Sequence, residues 1–540
     1  MADIKAAANP AMETDGAELE KVRLAGTNQA DTQLAAEFGY KPVFKREFGY
    51  LSTFSFAVSI SGLFATIMTT MSYPLEAGGS SAVVWCWLVS GAGCMCIALS
   101  VAELVSAYPT SGGLYFTISR LAPHDWVPSI SWVTGWLNFL GQICGVASSE
   151  YGGAQMLLAI VSMCKGMDNY EIKTTTTVGV MAALTFITGL VNSLSTYWME
   201  KMTKFYVIFH VCVLVACAIA LLVMTDDKHD ASYVFTHVES TSGWQPIGFS
   251  WLFGFLSVSW TMTDYDATAH ITEEISNPEI KAPWAISMAM LFTYLAGFLF
   301  NIVLCFCMGD PNAILNSKME QPVAQIFYNS LGKGGAIFFT VSALLIIKFV
   351  TFTAMQSLGR TVFAFSRDRM LPFSNVWVKV SPMTGTPLYA VWISVFFCIA
   401  INLIALGSYT AVDAVFTLCS IALDWSYCIP VLCKLLFGQF RPGPWHMGIF
   451  SKFVNAWACL WTLFVSIIFV LPTDRPVTPD NMNYACVFLV FVLLFALVYW
   501  FISGKRFYHG PITEAVVADS ASESNLPGDA NSDKDGRENR

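Results

Sequence analysis

Between Phe54 and Ile502 the sequence returns twelve times to an apolar stretch of about 20 residues, each long enough to cross roughly 30 Å of hydrocarbon. Backbone N–H and C=O groups facing lipid must find partners within their own segment, so continuous apolar runs of this length predict helices. The fold class expected is therefore an all-α polytopic membrane protein. Composition agrees: 55% of the 540 residues are apolar and only 12% are charged, against about 25% charged in soluble domains.

The spans are expected at about 51–73, 80–106, 128–161, 177–196, 204–224, 247–268, 284–308, 335–365, 386–406, 411–437, 453–471 and 483–503. With the N-terminus in the cytoplasm, the inside segments gather Lys41, Lys45, Arg46, Lys201, Lys204, Arg367, Arg369 and further cations, while the outside ones hold only Lys165, Lys173, Lys228, Lys318, Lys333 and Arg475. The positive-inside bias thus predicts both tails in the cytoplasm. Residues 1–46 form a polar N-terminal tail without an apolar h-region, 47–510 the transmembrane domain, and 511–540 a disordered C-terminal tail rich in Ser, Asp, Asn and Glu. The net charge of −9 is spread over both tails and one loop, and no basic cluster points to nucleic acid. The 15 cysteines lie mostly inside spans, without metal-ligand or disulfide spacing, and read as small packing residues. No metal site, cofactor motif or enzyme nucleophile with an adjacent base stands out.

Two spans resist a plain helix. The first, "FAVSISGLFATI", sets Ser59, Ser61 and Gly62 at mid-membrane, where glycine lets the backbone leave the helix. The sixth, "SWTMTDYDATAHITEE", carries Asp264 and Asp266, which a continuous helix would point about 200° apart. Interrupted helices in corresponding positions of two halves point to a transporter with inverted repeats and a midplane site.

A charge near the bilayer centre costs at least about 2.5–3.5 kcal/mol, so each must face a cavity or a partner. Lys348 in the eighth span is expected to pair with Asp264 or Asp266, to meet a substrate carboxylate, or to snorkel. His210 is the only histidine well inside a span, either a proton-coupling group or a packing residue. His270, Glu273 and Glu274 follow Asp266 at helical spacing and form either a polar stripe toward the cytoplasm or a cap at the membrane surface.

At these residues the sequence resembles the amino acid–polyamine–organocation transporter superfamily, in its fungal amino acid/choline branch of GABA permeases, choline transporters and relatives. The motifs that carry the resemblance are "AELVSAYPTSGGLYFTISRLAP", "GWLNFLGQICGVASSEYGGAQM", "DYDATAHITEE" and "SRDRMLPFS", within about residues 45–510. It implies a five-plus-five inverted-repeat core with two peripheral helices, alternating access, and substrate held between the unwound parts of the first and sixth spans. Ser59, Ile60, Ser61 and Gly62 would then offer backbone N–H groups to a carboxylate. Thr261, Thr263, Asp264, Tyr265 and Asp266 would form the opposing wall, with Trp260 and Tyr265 as aromatic faces. His210 falls where some proton-coupled relatives place a mid-span lysine; with Lys348 it is a proton-coupling candidate. The sequence departs from the branch at Asp264, where glycine is usual, and at Asp424, where an uncharged residue is common.

The function expected is a proton-coupled importer of amino acids or related amines such as GABA. A choline or polyamine carrier and a non-transporting amino acid sensor are the alternatives. The plasma membrane is the expected location, with the vacuolar membrane as the alternative.

Overall fold

The computed structural model describes residues 29–32, 34–407, 410–479 and 481–511. Most of the two expected tails, 1–46 and 511–540, lies outside them. Residues 29–42 form a unit separate from 43–511; within it 34–38 are helical and the Tyr40 amide donates to Leu34 O at 3.2 Å.

The body consists of α1 (Tyr50–Ser61), α2 (Leu63–Thr70), α3 (Ser72–Ala107), α4 (Gly113–Leu121), α5 (Val127–Lys165), α6 (Thr174–Asn192), α7 (Thr196–Met224), α8 (Phe255–Met262), α9 (Ala267–His270), α10 (Pro278–Cys307), α11 (Pro322–Arg367), α12 (Leu388–Asn402), α13 (Thr410–Phe437), α14 (Ser451–Phe469) and α15 (Ala485–Tyr499), with shorter turns between them. Ten segments among the described residues are long and apolar enough to cross a membrane, α1 with α2 counting as one. The 39-residue α5 and the broken α8–α9 add the third and sixth paths, giving the twelve expected. Among the described residues the only β pairing is a parallel bridge between Phe48 and Ile275.

Glycine sets the internal limits of two long helices. α3 is kinked at Gly78 and Gly79, the latter at φ 69°, and α11 at Gly332, at φ 68°. The spans read from hydropathy start just beyond these kinks, because the residues before them are polar or small and lie outside the apolar window. In the packing, α5 runs along α11 and α13, and α10 lies against α1 and α3. The halves α1/α2 and α8/α9 are held inside this frame. α14 and α15 sit at the periphery, and α15 exposes Val487, Phe491, Leu494 and Val498, side chains suited to lipid. The end of the body that carries Val43–Gly49 is called the near side below, and the opposite end the far side.

Candidate functional site

The first break falls at Gly62, whose φ of 45° and ψ of 37° end α1 in the left-handed region before α2 restarts at Leu63. A side chain there would collide with Val350 on α11 as well as strain the backbone, so glycine is required twice over. The amide of Gly62 is taken by Val58 O, and Ser59, Ile60 and Ser61 belong to the last turn of α1. The backbone donors expected at Ser59–Gly62 are therefore spent inside that helix, and the amides at the break belong to Leu63 and Phe64. The serine hydroxyls turn inward as well: Ser59 donates to Phe56 O, and Ser61 bonds Val58 O and Thr293. Thr66 caps the Ser61 carbonyl freed by the break, at 2.8 Å.

The second break follows Met262. Thr263 is extended, and Asp264 sits at φ 64°. That left-handed conformation accounts for the departure from glycine at this position, since aspartate is one of the few residues that tolerates it. One oxygen of Asp264, the hydroxyls of Thr261 and Thr263, and the Tyr265 hydroxyl are buried without a hydrogen-bond partner. Trp260 is fixed instead: its indole N–H donates to Ser148 at 3.0 Å, and its ring lies 4.8 Å from that of Phe416.

Asp266, expected in the substrate wall, is fully enclosed. It accepts from Asn138 at 2.6 Å, from the Tyr427 hydroxyl at 2.6 Å and from His270 Nε2 at 3.0 Å. Three donors from α5, α13 and α9 make it the point where the near half of the broken helix is tied to the frame. His270, four residues on, passes the link to the Ser111 carbonyl at 2.8 Å.

The polar stripe neither lines an open vestibule nor caps a surface. His270, Glu273 and Glu274 are all buried. Glu273 accepts from the Ser111 amide and hydroxyl and pairs with Arg367 at 3.2 Å. Glu274 pairs with Arg360 at 2.6 Å. Arg46 donates to the carbonyls of Thr272 and Ile275, and Phe48 adds the parallel bridge. The stripe continues as a single turn and a short 3-10 segment, not as a long helix, and with its partners it seals the near side.

Lys348 does not meet Asp264 or Asp266. Its ammonium donates to both oxygens of Glu150 at 2.7 Å and to Thr188 and Leu184 O. It projects from α11 toward α5 and α6, away from the second break, and Glu150 neutralises it there. His210 does reach the site: its Nε2 accepts the Phe64 amide at 3.2 Å, and its Nδ1 lies 3.2 Å from the Tyr206 hydroxyl. With Nε2 accepting, Nδ1 carries the single proton, and the ring is neutral.

A family model described as amino acid permease matches residues 48–493. The chain belongs to the amino acid permease family. It is 58% identical over 489 residues to an uncharacterised amino-acid permease of Schizosaccharomyces pombe, covering 90% of each chain. It is 48% identical over 490 residues to amino-acid permease 2 of Neurospora crassa, covering 91% of this chain and 90% of that one. An amino-acid permease of Arabidopsis thaliana is 31% identical over 493 residues, with 88% and 95% covered. The permease is thus an integral membrane transporter of amino acids and not an enzyme. Its fold is the polytopic helical one with discontinuous first and sixth spans.

On the far side of the permease a cavity of about 400 Å³ is lined by Thr69, Tyr73, Glu76, Tyr151, Asp413 and Phe416, among others. Phe416 is the ring that packs on Trp260, so the floor of this cavity meets the wall of the second break. The near side is thus sealed, and the far-side cavity reaches inward as far as Phe416.

Several site residues escaped the sequence reading. Asn138 and Gln142 lie four apart on α5 and hydrogen-bond each other at 3.0 Å; that polar pair at helical spacing in an apolar span was the available signal. Arg367 counted only among the inside cations, and Arg360 was not singled out. Ser426, which accepts from the Asn138 amide at 3.2 Å, and Tyr427 carried no signal, since hydroxyl residues are common in packed spans.

Proposed function

We propose that the permease imports amino acids or related amines by alternating access, with its near side in the cytoplasm of a plasma membrane and with uptake coupled to protons. The observation that carries this reading is the pair of helix breaks, at Gly62 and at Thr263–Asp266, set between a sealed near side and a far-side cavity. A substrate carboxylate would meet the positive end of α2 at Leu63, and its ammonium the unpartnered oxygens of Thr261, Thr263 and Asp264. GABA is one substrate with both groups. Opening toward the near side then requires the ion pairs of Glu273 and Glu274 to part, and binding drives this only through contacts that differ between the two states.

His210 supports the proton coupling. A proton arriving at Nε2 turns an acceptor into a donor and breaks the bond to the Phe64 amide, so protonation and rearrangement of the broken helix become one event. A choline carrier is less well supported. Choline has no carboxylate, and the rings of Trp260 and Tyr265 are engaged by Phe416 and Tyr427 instead of forming an open cage.

Reconstituted permease should accumulate labelled amino acid or GABA against its concentration under an inward proton gradient. Binding without accumulation would overturn the importer reading and leave that of a sensor.

A further inference from the structure

Nearly every buried charge among the described residues has a partner. Glu103 holds Lys434, Glu150 holds Lys348, Glu273 holds Arg367 and Glu274 holds Arg360. Asp266 is held by three donors. Two further carboxylates, Asp264 and Asp424, pair with no cation among the described residues, and Asp264 lies beside Asp266. One oxygen of Asp264 is buried without a hydrogen bond. Asp424, on α13, is 2% exposed, and among the described residues no donor lies within hydrogen-bond distance of it.

Asp264 immediately precedes Tyr265 at the second break, and Asp424 lies one turn before Tyr427 on α13. Tyr265 and Tyr427 pack ring to ring at 5.6 Å, so the carboxylates flank one aromatic pair. The unpartnered hydroxyls of Thr261 and Thr263, 2% and 5% exposed, belong to the same segment. Nor does the passage supply a cation: the far-side cavity is lined by Glu76, Glu320 and Asp413 and by no lysine or arginine. An ionised carboxylate left alone in the interior is costly, and the buried cations Lys348, Arg360, Arg367 and Lys434 are committed elsewhere. A positive group brought by the substrate satisfies such carboxylates.

We propose that the permease selects amino acids that carry a second positive charge on the side chain, an ammonium or a guanidinium, and that Asp264 and Asp424 are the residues that recognise it. The inference rests on the reading that the two helix breaks form the substrate site. It goes further in asking for net positive charge where GABA brings none. The acid-lined cavity concentrates such a substrate at the entrance.

The test uses the full-length permease in proteoliposomes and two probes of similar shape, lysine and norleucine, which differ in the terminal ammonium. Lysine, ornithine and arginine should compete with labelled lysine uptake at least about tenfold better than norleucine or GABA, the discrimination expected where one buried charge is otherwise left unpaired. Asp424→Asn should lower the preference for lysine over norleucine by at least about tenfold, and Asp424→Glu should restore most of it. Asp264→Asn tests the partner position by the same ratio and is needed if Asp424→Asn proves misfolded by gel filtration. Uptake of GABA or norleucine in preference to lysine would overturn this proposal and leave the importer reading standing, whereas uptake of none of these probes would remove both. Equal competition by a diamine that lacks the carboxylate would also overturn it. An unchanged lysine-to-norleucine ratio in folded Asp264→Asn and Asp424→Asn would show that both carboxylates serve another purpose, such as holding protons.

Discussion

Nε2 of His210 on α7 accepts the amide hydrogen of Phe64 at 3.2 Å, so the first turn of α2 is capped by a side chain from another helix. Deleting the imidazole leaves that amide unbonded and removes the one titratable group in contact with the break. His210→Ala should still exchange bound substrate across vesicles but lose at least about tenfold of its gradient-driven accumulation, in line with the loss of one hydrogen bond worth about 1.4 kcal/mol. Parallel measurements of counterflow and of uptake under an imposed proton gradient check this; accumulation at the wild-type rate would remove His210 from coupling.

Lys348 and Glu150 form a buried pair away from the site. Removing one partner leaves a charge without compensation, at a cost of about 3–5 kcal/mol. Lys348→Met and Glu150→Gln should each lower the thermal midpoint in detergent markedly, and the double variant should recover most of the loss. A double variant no more stable than the singles would contradict the pairing.

The near-side seal should depend on Arg360, which donates to Glu274 at 2.6 Å. Arg360→Ala is expected to raise labelling of a cysteine introduced at Ser426, by a reagent confined to the near side, at least about tenfold, because an unpaired Glu274 favours the open state. Acid alone should not reproduce this. Glu273 lies beyond the sixth span; burial pushes its carboxyl up, but Arg367 and the Ser111 donors outweigh burial and hold it below the ordinary value of 4.5. A depressed native value means that its stabilising effect is complete above 4.5 and fades only as pH falls through the lower native one. Labelling at pH 5.5 should therefore match that at pH 7.

Asp264 adopts a left-handed conformation that costs a residue with a β-carbon about 1 kcal/mol more than glycine. Asp264→Gly should be more stable than Asp264→Ala by about this amount in a thermal unfolding series. Equal stabilities would mean that the backbone relaxes on substitution.

Asp266→Asn is expected to abolish uptake. It exchanges an acceptor for three donors against an amide that can satisfy only part of them, which leaves the Asn138 and Tyr427 groups competing for one oxygen. Initial rates of uptake at saturating substrate check this, with surface expression measured alongside.

The twelve spans were legible because hydropathy over about 20 residues registers the cost of exposing a helix to lipid. Both helix breaks were legible from Gly62 and from the spacing of Asp264 and Asp266. Pairing was not. Pairing with the acids of the sixth span was one of three fates open to Lys348; the direction of its side chain depends on how α11 is rotated against α5, and sequence spacing within one helix does not fix that rotation. The donors at the first break fall after the residues expected for a similar reason. The helical bonds of α1 persist through the Gly62 amide, so the amides at the break are those of Leu63 and Phe64, the latter taken by His210. His270, Glu273 and Glu274 looked like a stripe facing water because their partners, Ser111, Arg360 and Arg367, come from two distant parts of the chain.

The Phe48–Ile275 bridge is small, but it joins the segment that leads into α1 to the segment that follows α9. Two amides take part, from Phe48 to Glu274 O at 3.0 Å and from Ser276 to Phe48 O at 3.1 Å. The near halves of the two broken helices are thereby yoked, and neither swings without dragging the other. When the seal parts, the first and sixth spans should travel as one lever, with Gly62 and Asp264 as its paired hinges.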